Sequence, residues 1–338
     1  MQVTASAPGK AILFGEHAVV YGKPAIAVAI DKRARVNIQG RPDSKIHVKM
    51  PELNISAYLH PRKDYISLEE DQNKEKLNNN RGILNYVLES VKKVDAIHSQ
   101  NSDEEMKSGI EITLDLEIPI GAGLGSSAAV TVAAIAALSY YHNLGLKKDE
   151  IASYAHEIEL KVQGAASPID TTLSTYGGMI YLSKSAEEVI HLPLNWSLPL
   201  IIGYTRRESN TGELVESVRL RKEKYPSVVN PILDSIGEIT ENARNSLFKA
   251  NEEKLGELMN INHGLLDALG VNTSKLSRMV YLARKHGALG AKITGAGGGG
   301  SIIVYAPHNV EKIIDELRKV EKAFTVQLSL NGVQVARE

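Results

Sequence analysis

The sequence predicts an α+β protein built as two domains, and three observations carry that expectation. Residues 2–40 alternate short β-rich runs with turn signals, residues 211–286 read as four successive helices, and no internal repeat is visible. A length of 338 residues allows two domains. Prolines cluster in LPLNWSLPL (192–200), which places the expected boundary there, giving domains 1–195 and 196–338.

The elements follow in order. VTASA, then AIAVAI after Gly22-Lys23-Pro24, then ARVNIQG read as strands, and 45–59 suggests one or two more. Residues 60–81 are polar and Asn-rich, the composition of a mobile insertion, and a helix is expected at 82–97. SQNSDEEMKSG reads as a surface loop. IEITLDLEI (110–118) alternates with period two, as a half-buried strand does. A glycine loop follows, then an Ala-rich helix from Ala128 to Tyr141 and another over 149–163. STYGGMIYLS (174–183) reads as a strand or hairpin, and LIIGYT (200–205) starts a new strand. Helices are expected at 213–224, 230–250, 252–269 and 274–286; GAKITG, GSIIVYA, an amphipathic helix at 309–321 and FTVQLSL close the chain.

Composition narrows the function. Lys plus Arg number 39 and Asp plus Glu 40, a net charge of -1 that is too balanced for general nucleic-acid binding. There is no cysteine, which removes disulfides, thiolate zinc sites and a cysteine nucleophile, and fits a reducing, cytoplasmic setting. The opening MQVTASAPGKAILFGEH lacks the pattern of a signal peptide. Residues 118–146 carry no Asp, Glu, Lys or Arg, but their first third holds Pro119, three glycines and two serines. The helical remainder is too short for a membrane span and reads as a core helix.

Four segments carry candidate chemistry. IPIGAGLGSSAAV (118–130) has Gly121, Gly123 and Gly125 before Ser126-Ser127 and no lysine, so it fails the P-loop pattern. It also fails G-x-G-x-x-G, because a serine stands where the third glycine belongs. It still leaves a strand and enters a helix, where free N–H groups and a partial positive charge suit a phosphate. An ordinary glycine turn with a serine cap is the alternative. APGKAILFGEHAVVYGKPA (7–25) places Lys10, Glu16 and His17 in a strand–turn region, as an anion site or as solvated polar groups. KITGAGGGGSIIV (292–304) is either a hairpin turn or a close backbone approach to a ligand or another domain. HEIELKVQGAASPIDTTLSTYGG (156–178) offers Glu159 on a helix and Asp170 after a proline-containing loop; a carboxylate of this kind is commonly a cap or solvated.

Together these segments resemble the GHMP kinases, the family of galactokinase, homoserine kinase, mevalonate kinase and phosphomevalonate kinase. PGKAILFGEH, PIGAGLGSSAA and KITGAGGGG match its three motifs in order, and the likeness covers most of the chain. Lys10 followed by GEHAVVYGKPA is most similar to the mevalonate-phosphorylating branch. SPIDTTLSTYGG resembles the family's SGxDxxxSTxGG stretch, departing slightly over Ala166-Ser167-Pro168-Ile169.

The resemblance implies a first domain like the second domain of ribosomal protein S5 and a second that is a ferredoxin-like sandwich with added helices, with the active site between them. It implies ATP-dependent phosphorylation of the primary alcohol of mevalonate, another small-molecule kinase or an inactive nucleotide-binding homologue being the alternatives. Mg²⁺ would be the cofactor, a homodimer the assembly, and no nucleic acid or membrane a partner. Phosphates would lie along Pro119, Ile120, Gly121, Ala122, Gly123, Leu124, Gly125, Ser126, Ser127, Ala128 and Ala129. Ser127 and Glu159 would hold Mg²⁺. Asp170 would be the base, with Lys10 beside it and the transferred group. Glu16, His17 and Thr211 would bind mevalonate with Lys10 and Asp170. Gly295, Ala296, Gly297 and Gly298 would support the site. Ser209 stands where family members place an arginine two residues before that threonine, and Arg206 or Arg207 would replace it.

Overall fold

The structure, a computed structural model, describes residues 2–68, 74–101, 109–164, 167–183, 188–206, 208 and 211–337. The strand-rich first half builds one large sheet. β1 (Gln2–Phe14) and β2 (Ala25–Arg41) form its central hairpin, joined through a single 3₁₀ turn at Ala18–Tyr21. β3 (Ile46–Met50), β4 (Ile55–His60), β5 (Tyr65–Leu68) and β6 (Gly109–Leu116) extend it in the order β1-β2-β6-β3-β4-β5. The 17-residue β2 serves two partners: its C-terminal half pairs β6, and its N-terminal end pairs β7 (Met179–Leu182), which in turn pairs β8 (Val189–Leu192).

Helices cover this sheet. α1 (Lys74–Asn101) packs beside α2 (Ser126–Tyr141), which is apolar on every side and buried from Ala128 to Ser139. An all-apolar helix must lie inside protein or membrane. Its 16 residues fall short of a bilayer, and no helix among the described residues is long and apolar enough to cross one. α3 (Lys148–Gln163) and α4 (Pro168–Tyr176) follow on the same layer.

The second half forms a four-stranded antiparallel sheet of β9 (Leu200–Thr205), β10 (Gly290–Thr294), β11 (Gly300–Tyr305) and β12 (Lys322–Val326), in the order β10-β11-β9-β12. That order, with crossovers through helices after β9 and β11, is the ferredoxin-like arrangement. α5 (Thr211–Lys224), α6 (Pro226–Phe248), α7 (Glu252–Ala268) and α8 (Ser274–Lys285) fill the first crossover, and α9 (Val310–Arg318) the second. The chain then returns to the first sheet, where β13 (Gln334–Arg337) pairs antiparallel with β1.

Several expectations change. The expected insertion at 60–81 instead holds a 3₁₀ turn at Pro61–Lys63, β5, and the first eight residues of α1, with 69–73 outside the described residues. Of the expected loop SQNSDEEMKSG, residues 99–101 finish α1, Gly109 opens β6, and 102–108 lie outside the described residues. The strand expected from Ser174 begins only at Met179. Ser174 to Tyr176 end α4, a helix started by the Ser167 cap on Ile169 N and by Pro168 in its first turn. α6 starts four residues earlier than expected, with Pro226 in its first turn, and accommodates Pro231 inside.

Candidate active site

The two sheets meet where β1 passes the glycine loop. Lys10 N donates to Leu124 O at 2.9 Å, and a Cβ on Gly9 would stand 2.7 Å from that same oxygen. Gly125 has φ +71, and a Cβ there would come within 2.9 Å of Lys10 Cγ. Only glycine therefore lets the loop close against the lysine before turning into α2. From the other half, Ser301 Oγ donates to Ala122 O at 2.9 Å, while Thr294 Oγ1 accepts from Ile12 N at 3.0 Å and donates to Ile12 O at 2.9 Å.

These contacts frame a cavity of about 440 Å³. β1 supplies Lys10, the loop Ile120, Gly121, Gly123, Gly125, Ser126 and Ser127, α3 Glu159, and α4 Asp170. Glu16, His17, Thr211, Gly295 and Ala296 complete the expected set along its wall. The remaining loop residues turn elsewhere. Ala122, Leu124, Ala128 and Ala129 are buried in the core, and Pro119 borders a neighbouring recess. Gly297 and Gly298 stand behind the wall, where Gly298 N donates to Val271 O at 2.8 Å. Arg206 is exposed and off the cavity, and Arg207 and Ser209 lie outside the described residues.

Two polar pairs face each other inside. Lys10 Nζ lies 3.1 Å from Asp170 Oδ1, with the lysine side chain 7% and the aspartate 26% exposed. Asp170 sits in the first turn of α4 rather than after a loop, so helix geometry aims it. Ser127 Oγ donates to Glu159 Oε1 at 3.0 Å. Burial, and then the neighbouring Asp170 charge, push the Glu159 carboxyl up to about 8. The largely buried Glu159, the partly exposed Asp170 that pairs with Lys10, and the Ser127 hydroxyl place oxygen donors on one wall of the cavity. Such donors suit a hard divalent cation, and two protein ligands leave positions for phosphate oxygens.

His17 has φ +60, and its ring is buried. Its Nε2 lies 2.9 Å from Ala296 O; a carbonyl only accepts, so Nε2 carries the proton. Burial pulls this imidazole below its ordinary value against that hydrogen bond, leaving it neutral with Nδ1 as an acceptor. Glu16 borders the cavity, and its carboxylate is already engaged from behind. Its side chain is 0% exposed, Lys292 takes Oε1, and Asn262 Nδ2 donates to Oε2 at 3.3 Å. Burial raises Glu16 and lowers Lys292, and the attraction between them opposes both shifts.

Four residues of this neighbourhood escape sequence reasoning. Tyr86 and Gln163 line the cavity beside Ser127 and Glu159, and Lys292 and Asn262 hold Glu16. For the first two the signals were spacings, since Ile83 and Tyr86 share one face of α1 and Gln163 is one helical turn beyond Glu159, while Lys292 opens the KITGAGGGG run.

A glycine loop at a helix N-terminus, a lysine–aspartate pair and a serine–glutamate pair share this one cavity, an arrangement that fits a small-molecule kinase. The chain belongs to the GHMP kinases, and within them to the mevalonate kinase family. Residues 85–178 match the family model for the GHMP kinases N terminal domain, and 243–323 that for the GHMP kinases C terminal. The chain is 45% identical to the mevalonate kinase of Pyrococcus furiosus over 328 residues, 94% of this chain and 93% of that one. Among solved structures it resembles the Methanococcus jannaschii mevalonate kinase, with a TM-score of 0.80, 32% identity, and 96% and 98% of the two chains covered. It also resembles L. major mevalonate kinase in complex with R-mevalonate, with a TM-score of 0.77, 25% identity, and 96% and 95% covered.

Proposed function

We infer that the protein transfers the γ-phosphoryl group of ATP to the primary hydroxyl of (R)-mevalonate, giving 5-phosphomevalonate. The observation that carries this is the Lys10–Asp170 pair at 3.1 Å, set across one cavity from Ser127 and Glu159 at the start of α2.

The loop amides from Gly121 onward and the N-terminus of α2 hold the phosphates. Ser127 and Glu159 would hold Mg²⁺, which when bound neutralises phosphate charge in the cleft. Asp170 accepts the hydroxyl proton. Phosphoryl transfer is largely dissociative, so that proton leaves late and a weak but aligned base suffices. Lys10 places its ammonium against Asp170 and the transferred group. His17 Nδ1 accepts from the acceptor's polar end, and Thr211, first in α5, closes the cavity from the second half. The base of ATP takes the apolar recess of about 390 Å³ that shares Ile120 with the cavity and is walled by Met50, Leu53, Ile118 and Phe324. The same reading includes a homodimer, for sedimentation to test.

A panel of mevalonate, phosphomevalonate, homoserine and galactose with ATP and Mg²⁺ tests the assignment. Turnover with mevalonate far above the rest is expected. Preference for phosphomevalonate would make the acceptor a phosphate oxygen and the product a diphosphate, moving the assignment one step along, and ATP binding without turnover on any of the four would make the chain a nucleotide-binding homologue only.

A further inference from the structure

Lys292 on β10 and Asn262 on α7 are both 0% exposed and stand outside the cavity wall, yet both end on Glu16. The Lys292 ammonium also donates to Ile293 O at 2.6 Å. Asn262 keeps Nδ2 on the carboxylate while its Oδ1 has no hydrogen-bond partner among the described residues. A fully buried ion pair is a poor source of stability, because apolar groups of the same shape often do as well or better. Geometry is the better reason for it. The next residue, His17, holds φ +60, a conformation that a non-glycine residue keeps only when its surroundings impose it. Two struts leave one segment of the second half: Lys292 grips Glu16, and Ala296 O, four residues on, receives the His17 ring.

We propose that Lys292, Asn262 and Glu16 form a buried brace that fixes His17 at the acceptor end of the cavity, with Glu16 a positioning residue and not a contact to the acceptor. The proposal rests on the reading of this cleft as an alcohol-phosphorylating site. It joins the turn after β1 to β10 and α7, so the acceptor end is shaped by both halves of the chain through a buried ion pair, separately from the Ser301–Ala122 contact at the glycine loop.

The test uses the full-length chain and four variants: Asn262→Ala, Lys292→Met, Glu16→Gln, and Glu16→Gln with Lys292→Met. Acceptor KM, ATP KM and kcat are measured, together with amide hydrogen exchange over 15–18 and 294–298. Asn262→Ala should raise acceptor KM about tenfold or more while ATP KM stays within about twofold, because only the acceptor end is displaced. Exchange at His17 and Ala18 should quicken. Lys292→Met leaves a lone buried carboxylate and can fail to fold; the double variant removes both charges and keeps the test open. Its acceptor KM should be no worse than that of the worse single variant, as for groups acting as one unit. Unchanged acceptor KM in folded Asn262→Ala and in the double variant overturns the brace. Losses from Glu16→Gln and Lys292→Met that add in full overturn the positioning role and return Glu16 to the acceptor. If the wild type phosphorylates none of the four alcohols, the functional reading fails by itself, and unchanged exchange over 15–18 in Asn262→Ala still decides against the brace.

Discussion

Asp170 and Lys10 touch at 3.1 Å, so their losses should not be independent. Asp170→Asn keeps the shape of the side chain and cannot take a proton; kcat should fall at least about 100-fold while ATP and acceptor still bind. Lys10→Met should lower kcat as well, and the double variant should be little worse than the worse single one. Steady-state kinetics with both dissociation constants check this, and near-normal turnover by Asp170→Asn would remove it as the base. Glu159 gives a second prediction at this scale. Its folded-state value near 8 lies above the ordinary carboxylate range, so the metal-free folded chain keeps a proton that the unfolded chain has lost. The folded state then binds more protons between about pH 4.5 and 8, and stability falls as pH rises through that window. The Tm of the metal-free protein should drop from pH 5 to 8, and the drop should vanish in Glu159→Gln. Mg²⁺ with a nucleotide should suppress it, since binding requires the carboxylate. Lys10, Ser127, Glu159 and Asp170 are singled out through the resemblance carried by their segments, since Glu159 and Asp170 taken by themselves read as cap or solvated carboxylates; all four line one cavity. Lys292 lay inside a quoted motif too, but its role depends on Glu16, 276 positions away, and no local pattern records that distance.

At the scale of elements, legibility follows length and periodicity. α7 and α8 fall within one residue of expectation at either end because each carries a long apolar stripe between a side-chain cap and a clear stop. α4 was missed because it is nine residues of mostly Ser, Thr and Tyr, with weak intrinsic helix preference. Its Ser167-Pro168 start was the available sign. The glycine run after β10 reads in sequence as a hairpin turn or a close approach to a ligand or another domain; it joins the antiparallel pair β10–β11, and Gly297 does make a close backbone approach, but to Val271 of its own half. The φ of Gly297 is +80, and a Cβ would stand 2.1 Å from Val271 O. Gly297→Ala should therefore destabilise by about 2 kcal/mol or more, from strain plus the clash. Gly264, inside α7 with open space where a Cβ would go, is the control: Gly264→Ala should stabilise by about 0.5–1 kcal/mol. Denaturant unfolding of both variants measures the contrast, and equal midpoints would mean that the run is a surface turn.

At the scale of the molecule, the two halves are tied by the last dozen residues, a segment whose sequence carries no strong signal. Ser329 N donates to Ala29 O at 2.9 Å, Val333 N to Thr175 O at 3.1 Å at the end of the Asp170 helix, and β13 then pairs β1. Arg33 pins this strap. Its guanidinium donates to Ser6 O and Oγ on β1, and to Ser329 Oγ, Asn331 O and Gly332 O on the returning chain, at 2.6–3.3 Å. We therefore propose the division at 195 with one qualification in physical terms: a fragment cut there loses β13, exposes an edge of β1, and leaves Arg33 without the three strap acceptors. Hydrogen bonds to a charged group contribute about 1.5–3 kcal/mol each, and an open edge strand invites aggregation. Residues 1–195 alone should be poorly soluble or show a broad, low-temperature transition. The same fragment with 327–338 joined through a flexible linker should be more soluble and unfold at a higher temperature, and Arg33→Ala in that fusion should cancel most of the gain. Thermal unfolding and sedimentation of the three proteins decide it. A bare 1–195 fragment as stable as the fusion would make the strap an ornament of the folded chain and 195 a sufficient boundary by itself.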